Sequence, residues 1–488
     1  MIKILQGNEV RNLDSTHILN TGISSLSLME NAAQGFVNWW ESKSFSKSLR
    51  VAVFCGAGNN GGDGLAIARL LNQLGFNPEV FFCFDLGAKL SPDAQANLES
   101  LPSSVAQKHW KGFDGAKFDC LIDAFLGVGL KGDLRPDAIE IIQVINSFSK
   151  SIYSIDVPSG LPSEGMASKN CVKAEVTITF AFPKLSLLLP ENASISGELI
   201  VVDIGIGDEE YEAFDSQFYY LQEKDIPEYH RKFSRFSHKG DFGKILLVAG
   251  SKGTMGAAIL SSKSALRTGS GLVTCYVPIE ERSIIQSAVP EAMVYTDQEL
   301  RMEKFDAIGV GPGMGVDQHG LLKKILEGYK APLVLDADAL TILSRDKDLI
   351  PLIPKGSILT PHLGEFERLF GKISDPLLRL KAAREFCINF QLNLLIKGAN
   401  SVICLADGRQ IFNSSGTNYM ATGGSGDVLT GMLTSFLGQG YSPEQALVCG
   451  VFQHGLAGEI AGSKKFRSTI ASDILEAIPM TFQKLSIL

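Results

Sequence analysis

GTNYMATGGSGDVLTG, residues 416 to 431, sets three glycines, Gly423, Gly424 and Gly426, directly before Val428, Leu429, Met432 and Leu433, which are spaced as one face of a helix. A glycine loop that opens a helix leaves backbone N–H groups and the positive end of the helix dipole pointing outward, where a phosphate or a developing oxyanion can be held. Asp427 falls in the first turn, where its carboxylate can take a proton from a hydroxyl beside that anion. Taken alone, the stretch reads equally as a glycine-rich turn with an acidic residue complementing the dipole. The rest of the chain decides between the two.

Upstream, strands and helices alternate, and polar loops recur at the carboxyl ends of the strands. SHKGDFGKILLVAGS (237 to 251) is a basic glycine loop feeding a strand, followed by the helical GAAILSSKSALRTG and the strand GLVTCYVP. FDAIGVGPGMG (305 to 315) ends a strand in a Gly-Pro-Gly loop that lets the backbone approach a ligand. PLVLDADAL brings Asp336 and Asp338 to a strand end, SILTPHLGEFERL brings His362 and Glu365, and LNLLIKGANSVICLADG carries the loop Lys397, Gly398, Ala399, Asn400, Ser401. His362 by itself reads as a turn residue and Lys397 as a solvated charge. With the loop at 423 to 427 they form a series of strand-end loops leading to one site, as in a nucleotide-dependent α/β enzyme. No G-x-x-x-x-G-K-[ST] motif occurs, so this is not a P-loop protein. From Tyr441 the chain is helical and apolar.

The first half repeats the pattern. Helical patterning over residues 8 to 40 leads into RVAVFC (50 to 55), then GAGNNGGDG (56 to 64), then the helical LAIARLLNQLG. Strand, glycine loop and helix open an α/β domain whose ligands sit at the carboxyl ends of the strands. Asn59, Asn60 and Asp63 interrupt the glycines and add amide and carboxylate oxygens, which suit a pyrophosphate, a ribose or a monovalent cation; a plain turn is the competing reading. Strands follow at 78 to 84, 118 to 125, 175 to 183 and 198 to 205, a strand and turn at 151 to 160, with helices near 92 to 100 and 137 to 148. Asp123 and Asp156 each end a strand before a glycine-bearing loop, LGVGLKGD (126 to 133) and VPSG (157 to 160). They read as an acid/base pair, as cation ligands together with oxygens such as that of Ser159, or as turn caps. A shift in composition across 206 to 236 places the boundary near 222, giving domains 1–222 and 223–488.

The 488 residues, 45% hydrophobic and 20% charged, exceed one ordinary core. A net charge of -8 gives no footprint for nucleic acid or anionic membrane, and a small-molecule substrate is expected. With no bilayer-length apolar run and no signal-peptide pattern, a cytoplasmic location is expected. The eight cysteines show no C-x-x-C pair and the seven histidines no ligand spacing, which reads as buried thiols without a structural transition metal.

In their order, SHKGDFG, GSKGTMGAA, GPGMG, LDADAL, TPHLGEFERL, KGANSVI and GGSGDVLTG resemble the ribokinase-like NAD(P)H-hydrate dehydratases. SLMENAA, GNNGGDG, DAFLGVGLKGD and IDVPSG resemble the NAD(P)H-hydrate epimerase domain, and the fusion is similar to bacterial bifunctional repair enzymes of the Nnr type. The resemblance implies a Rossmann-like α/β/α domain followed by a ribokinase-like α/β/α domain. It implies repair of hydrated nicotinamide cofactors: interconversion of the R and S hydrates at C6, then dehydration of the S form with ADP, which ends as AMP and phosphate.

By position it implies that Asn59, Asn60, Gly61, Gly62, Asp63, Gly127, Val128, Gly129, Leu130, Lys131, Gly132, Asp133 and Asp156 bind the hydrate in the epimerase, with Asp123 and Asp156 catalytic. Asn60, Asp123 and Ser159 would hold K+. In the dehydratase Ala257, Gly313, His362 and Asp427 would face the hydrate, with Asp427 catalytic. Lys397, Gly398, Ala399, Asn400, Ser401 and Gly426 would bind the nucleotide, with Mg2+ accompanying the ADP. The partners implied are NADHX or NADPHX and ADP, and a homo-oligomer is expected. Thr417 and Tyr419 depart from the family's usual G-N-x-G-M-A. A ribokinase-like kinase of a small alcohol, carrying a non-catalytic N-terminal binding domain, remains the alternative.

Overall fold

Runs such as RVAVFC and VTITF become strands buried along nearly their whole length, as expected where a parallel sheet is covered on both faces. The computed structural model describes every residue except Asn8, Leu86, Leu130, Lys131, Thr296 to Gln298 and Leu488. The hydrate-binding expectations at Leu130 and Lys131 therefore lie outside the described residues. The chain divides into two compact units, Ile2–Ser216 and, with Met1, Gln217–Leu488. The division falls a little before residue 222, because the apolar FYYL of 218 to 221 is a strand that pairs inside the second unit.

After a two-residue strand β1 (Ile2–Lys3), the first unit contains β2 (Arg50–Cys55), β3 (Asn77–Phe82), β4 (Ala106–His109), β5 (Cys120–Ala124), β6 (Ser151–Ile155), β7 (Val176–Phe180) and β8 (Glu198–Val202). Their order is β4-β3-β2-β5-β6-β7-β8, and every neighbouring pair is parallel. Alternation along β2 sends Val51, Val53 and Cys55 to one apolar layer and Ala52 and Phe54 to the other, so helices cover both faces. The chain leaves β2 towards β3 and later returns to β5 on the other side. That reversal opens a crevice at the carboxyl ends of β2 and β5, where open α/β sheets bind ligands.

The second unit contains β9 (Phe218–Leu221), β10 (Lys244–Val248), β11 (Leu272–Tyr276), β12 (Met293–Val294), β13 (Ala307–Val310), β14 (Leu333–Leu335), β15 (Ile358–Leu359), β16 (Asn393–Ile396), β17 (Val402–Cys404) and β18 (Gln410–Asn413). Its order runs β9-β18-β17-β16-β15-β14-β13-β10-β11-β12. The pairs of β17 with β16 and β18 are antiparallel and the other pairs among these strands are parallel. Its reversal lies between β10 and β13. The helix Ser425–Gly438 is buried from Val428 to its end, and Pro443–Lys465 and Ala471–Lys484 follow it.

One boundary differs from expectation. The helix after β2 starts at Asn59, so most of GAGNNGGDG is helix and not loop. Its glycines serve packing there: a Cβ at Gly61 would lie 1.8 Å from the Gly56 carbonyl oxygen, and one at Gly64 2.4 Å from the Ala124 side chain.

Candidate active sites

The crevice of the first unit is a cavity of about 1250 Å³ at the carboxyl ends of β2, β5, β6 and β7. Asn59, Asn60, Asp63, Gly127, Val128, Gly129, Asp133 and Asp156 all line it. Gly61 and Gly62 lie beneath it as the buried first turn of the helix, and Gly132 lies outside its lining. Among the charged residues that the sequence left unmarked, Asp14 from the helix Glu9–Thr21 and Lys184 just beyond β7 join the wall beside Asp156.

Asp156 is held in an unusual conformation. Its φ of 64° is in the left-handed region, rare for a side-chain-bearing residue, and such strain collects at functional sites. Its Oδ1 accepts from the Lys184 ammonium, and from the Thr179 hydroxyl at 3.2 Å. Lys184 is almost wholly buried and also donates to the Phe180 carbonyl at 3.1 Å. Burial pushes the Asp14 carboxyl up to about 6, with Lys184 pulling it back and Asp156 adding to the rise. Asp63 is driven well above the usual carboxylate range by burial, then by the charges of Asp156 and Asp14. Asp14 and Asp63 therefore share the cavity with the Asp156–Lys184 pair, and both are poised to carry protons.

Asp123 does not reach the cavity. It is fully buried, with Oδ1 accepting from the Ser159 hydroxyl at 2.6 Å and Oδ2 from the Ser154 hydroxyl at 2.8 Å and the Ser159 amide at 2.9 Å. This places Asp123 as the tie between the loops after β5 and β6, and not as an acid/base group in contact with substrate. The Ser159 hydroxyl also lies 3.3 Å from the Leu126 carbonyl oxygen, and the Asn60 amide nitrogen is buried without a hydrogen-bond partner among the described residues. The Asn60 amide nitrogen, a donor, calls for an acceptor such as a hydroxyl or phosphate oxygen, whereas the oxygens of Asp123, Ser159 and Leu126 are of the kind that a hard monovalent cation takes.

In the second unit Asp427 sits in the first turn of Ser425–Gly438, half-buried. No hydrogen bond engages its carboxylate among the described residues. Burial pushes it up to about 6, with the Asp336 charge adding and Lys397 opposing. Asp336 is buried at the end of β14, where desolvation opposes ionisation but Lys397 and Thr430 overcome it and hold its pKa below the usual value. The Lys397 ammonium lies 2.8 Å from Asp336 Oδ1, and the Thr430 hydroxyl 2.7 Å from Oδ2. Gly426 leaves the space that this pair faces: a Cβ there would sit 3.5 Å from the Lys397 nitrogen and 3.7 Å from Asp336 Oδ2.

Lys397→Met strands a buried carboxylate, and the unfolding midpoint in denaturant is expected to fall by the equivalent of about 3 kcal/mol. An unchanged midpoint would contradict the pairing.

His362 caps the helix Leu363–Phe370, its Nδ1 accepting from the amides of Gly364 at 3.0 Å and Glu365 at 3.3 Å. Its ring is half-exposed with Nε2 3.5 Å from a Glu365 carboxylate oxygen, and the backbone bridge between His362 and Lys397 brings the two loops together. The loop Gly398, Ala399, Asn400, Ser401 is closed by the Ser401 hydroxyl, which accepts from the Gly398 amide at 3.2 Å and donates to its carbonyl at 3.0 Å. On the other flank Gly313 and Ala257 adjoin, a Gly313 Cβ falling 3.2 Å from that of Ala257. The sequence missed His454. It is buried in Pro443–Lys465, with Nε2 3.3 Å from the Ser425 hydroxyl, and burial pushes it down to about 4, keeping the ring neutral against the glycine loop.

Thr417 and Tyr419 turn away from the glycine loop. A Cβ at Gly462 would lie 3.0 Å from the Tyr419 ring and 3.2 Å from the Thr417 methyl, and the Tyr419 ring meets Phe466 edge-on at 6.2 Å. The missing side chain at Gly462 accommodates both. Glu459 on the same helix accepts from the Gly416 amide at 2.7 Å and fixes the start of the stretch.

Comparison with known proteins bears on both units. Residues 245–480 match the family described as NAD(P)H-hydrate dehydratase, and residues 25–186 the family described as YjeF-related protein N-terminus. The bifunctional NAD(P)H-hydrate repair enzyme Nnr of Moorella thermoacetica is 34% identical over 95% of this chain and 93% of its own length. The chain belongs to the bifunctional NAD(P)H-hydrate repair enzymes. A family member from Dictyoglomus turgidum is 31% identical over 99% of both chains. Among solved structures, the ADP/ATP-dependent NAD(P)H-hydrate dehydratase of Bacillus subtilis, co-crystallised with ATP/Mg2+, is 28% identical with a TM-score of 0.50, covering 55% of this chain and 98% of that one. A ribokinase-like superfamily protein of Enterococcus faecalis is 26% identical with a TM-score of 0.51, covering 56% and 98%. The second unit therefore has the ribokinase-like fold of this repair family, as the ordered series of motifs implied.

Proposed function

We propose that residues 1–222 epimerise the R and S hydrates of NADH and NADPH, and that residues 223–488 dehydrate the S form at the expense of ADP. The observation that carries this reading is likeness to a repair enzyme along nearly the whole chain, with an uncommitted carboxylate, Asp427, at the mouth of the glycine loop. In the dehydratase Asp427 takes the proton of the ring hydroxyl as its oxygen attacks the terminal phosphorus of ADP, and AMP leaves. Backbone N–H groups at the start of Ser425–Gly438 stabilise the transferring phosphoryl group. Phosphate then departs from the ring carbon, the neighbouring carbon gives up a proton, and the ring double bond re-forms.

Among the described residues no cluster of three or more His, Cys, Asp or Glu side chains suits a metal ion. A magnesium ion would therefore be held chiefly by the ADP phosphates and water, with Asp427 and Asp338 nearby, and would offset phosphate charge. A potassium ion would be held by oxygens of Asn60, Asp123, Leu126 and Ser159, fixing the loops that carry Asp156 and Gly127.

In the epimerase a protonated Asp14 or Asp63 gives its proton to the leaving ring hydroxyl, which departs as water. The carboxylate of Asp156 faces the resulting ring cation, in which carbon is doubly bonded to nitrogen. Water adds to the opposite ring face and returns its proton to a carboxylate, so no atom is gained or lost.

The pH profile tests the base. Asp427 must be ionised, and its carboxyl titrates near 6, so dehydration should rise with pH between about 5 and about 7 and then level off. A rate flat across that window would exclude Asp427 as the base. A cytoplasmic homo-oligomer is part of the proposal, and sedimentation of the purified chain checks the assembly: a monomer would remove that part. No helix among the described residues is long and apolar enough to cross a membrane.

A further inference from the structure

The helix Glu9–Thr21 carries Asp14 into the cavity of the first unit with little apolar support. Val10, Leu13 and His17 are its buried residues, and Val10, Arg11, Asp14 and Ile18 line the cavity. Val10 and Leu13 anchor the start of the helix, and Ile18 is only partly buried, against the apolar layer that holds Val51 and Val53. Polar ties hold the two ends. Ahead of the helix the Glu164 carboxylate accepts from the Gly7 amide at 2.7 Å and from the Gln6 side-chain amide at 2.9 Å. Glu164 belongs to the loop after β6 that begins with Asp156.

Towards the other end His17 Nδ1 lies 2.6 Å from Glu210 Oε1, and both side chains are at least nine-tenths buried. Glu210 sits in the short turn Asp208–Ala213 beyond β8, where the same oxygen accepts from the Gly207 amide at 3.3 Å. Its neighbour Tyr211 meets the Phe182 ring edge-on at 6.1 Å, and the Lys184 ammonium that holds Asp156 lies 5.0 Å from the centre of that ring. Asp14 and His17, three residues apart, share one side of the helix. The carboxyl groups of Asp14 and Asp156 are therefore held in one frame, through Glu164 and Glu210. A buried ion pair adds little net stability over apolar residues of the same volume, so stability alone does not account for this one.

We infer that Asp14 is the acid that protonates the departing ring hydroxyl and that the bond from His17 to Glu210 is the strut that positions it, an inference that rests on the epimerase reading. The Asp14 proton passes to the hydroxyl, the carbon–oxygen bond breaks with its electron pair on oxygen, and water leaves; the water that adds to the other ring face returns a proton to Asp14. No co-reactant is needed. The charged groups around Asp14 are Lys184 beyond β7, Asp156 beyond β6, Asp63 on the helix Asn59–Gln73, Glu210 in its turn, and Arg11 and His17 on its own helix. Burial raises the Asp14 carboxyl, Lys184 lowers it, Asp156 raises it and His17 lowers it.

Exchange between the R and S hydrates of NADH by the full-length chain, followed by chromatography without ADP and corrected for the unaided rate, measures this step. Asp14→Asn should slow it about a hundredfold. His17→Leu removes the strut and should lower kcat about tenfold at unchanged KM, because the hydrate still binds while the acid is misplaced. Wild-type exchange should fall as pH rises through about 6, where Asp14 loses its proton. His17→Gln keeps a donor for Glu210 but not the charge that lowers Asp14, so kcat should recover while that fall moves to higher pH. If His17→Leu fails to fold, the pH limb of His17→Gln decides. Wild-type kcat in folded His17→Leu, an unmoved limb in His17→Gln, or full activity in Asp14→Asn would overturn the inference. A wild-type chain that does not accelerate exchange would instead remove the epimerase reading itself.

Discussion

Asp427→Asn should lower ADP-dependent dehydration about a thousandfold while epimerisation proceeds at the wild-type rate. The substitution preserves shape, and no hydrogen bond among the described residues depends on the carboxylate. It removes acceptance of a proton from the attacking hydroxyl. The amide also relieves repulsion from Asp336, so folding stability should hold or rise. Progress curves on purified S hydrate with ADP measure the rate, and circular dichroism in denaturant checks the fold. A variant with more than about a tenth of wild-type kcat would mean that proton removal is not the task of Asp427.

The second large effect belongs to Asp156. Asp156→Asn should slow enzymatic epimerisation by about a hundredfold or more, because the ring cation loses the charge that faces it. Asparagine accepts the left-handed backbone almost as well as aspartate does, so the φ of 64° is retained. Asp156→Ala adds strain and strands the buried Lys184 ammonium, and should destabilise the first unit by about 3 kcal/mol as well. With either variant the S hydrate is repaired normally, whereas the R hydrate is repaired only as fast as it epimerises unaided. Unchanged turnover of R hydrate by the full-length Asp156→Asn chain would contradict the epimerase assignment.

Most of this architecture could be read from the chain because parallel strands covered on both faces leave an unmistakable apolar signature, as in RVAVFC, VTITF and KILLV. The strand AQKH at 106 to 109 carries no such signature, being a polar edge strand defined only by pairing with β3. Asn59 to Gly64 looked like loop because glycine is a poor helix former, and tertiary contact overrode that preference: only glycine allows the helix so close to the Gly56 carbonyl and to Ala124.

Strand-end reasoning marked Asp156, Asp336, His362 and Lys397, which all follow a strand, and of these Asp156 lines the cavity of the first unit while Lys397 pairs with Asp336. The same reasoning applies to Lys184, which follows β7 and was passed over. Asp14 gave no local signal, because its role depends on a helix brought to the cavity from far away in sequence. His454 lay hidden inside an apolar helix and reads as core until the fold sets it against Ser425. Asp123 shows the opposite case: its place at a strand end is that of a catalytic acid, yet its carboxylate is fully buried and engaged by Ser154 on β6, by Ser159 in the loop beyond β6 and by the Phe125 amide.

The most direct test of the central claim is one reaction: an equimolar mixture of R and S hydrates of NADH, with ADP, magnesium and potassium, followed by the near-ultraviolet absorbance of the reduced ring. The account predicts full recovery of NADH with one AMP and one phosphate released per molecule repaired, and recovery of only the S half before a slow phase when Asp156 is replaced by asparagine. A stable phosphorylated hydrate without recovery of absorbance would make the second unit a kinase, and no turnover of either hydrate would contradict the account outright.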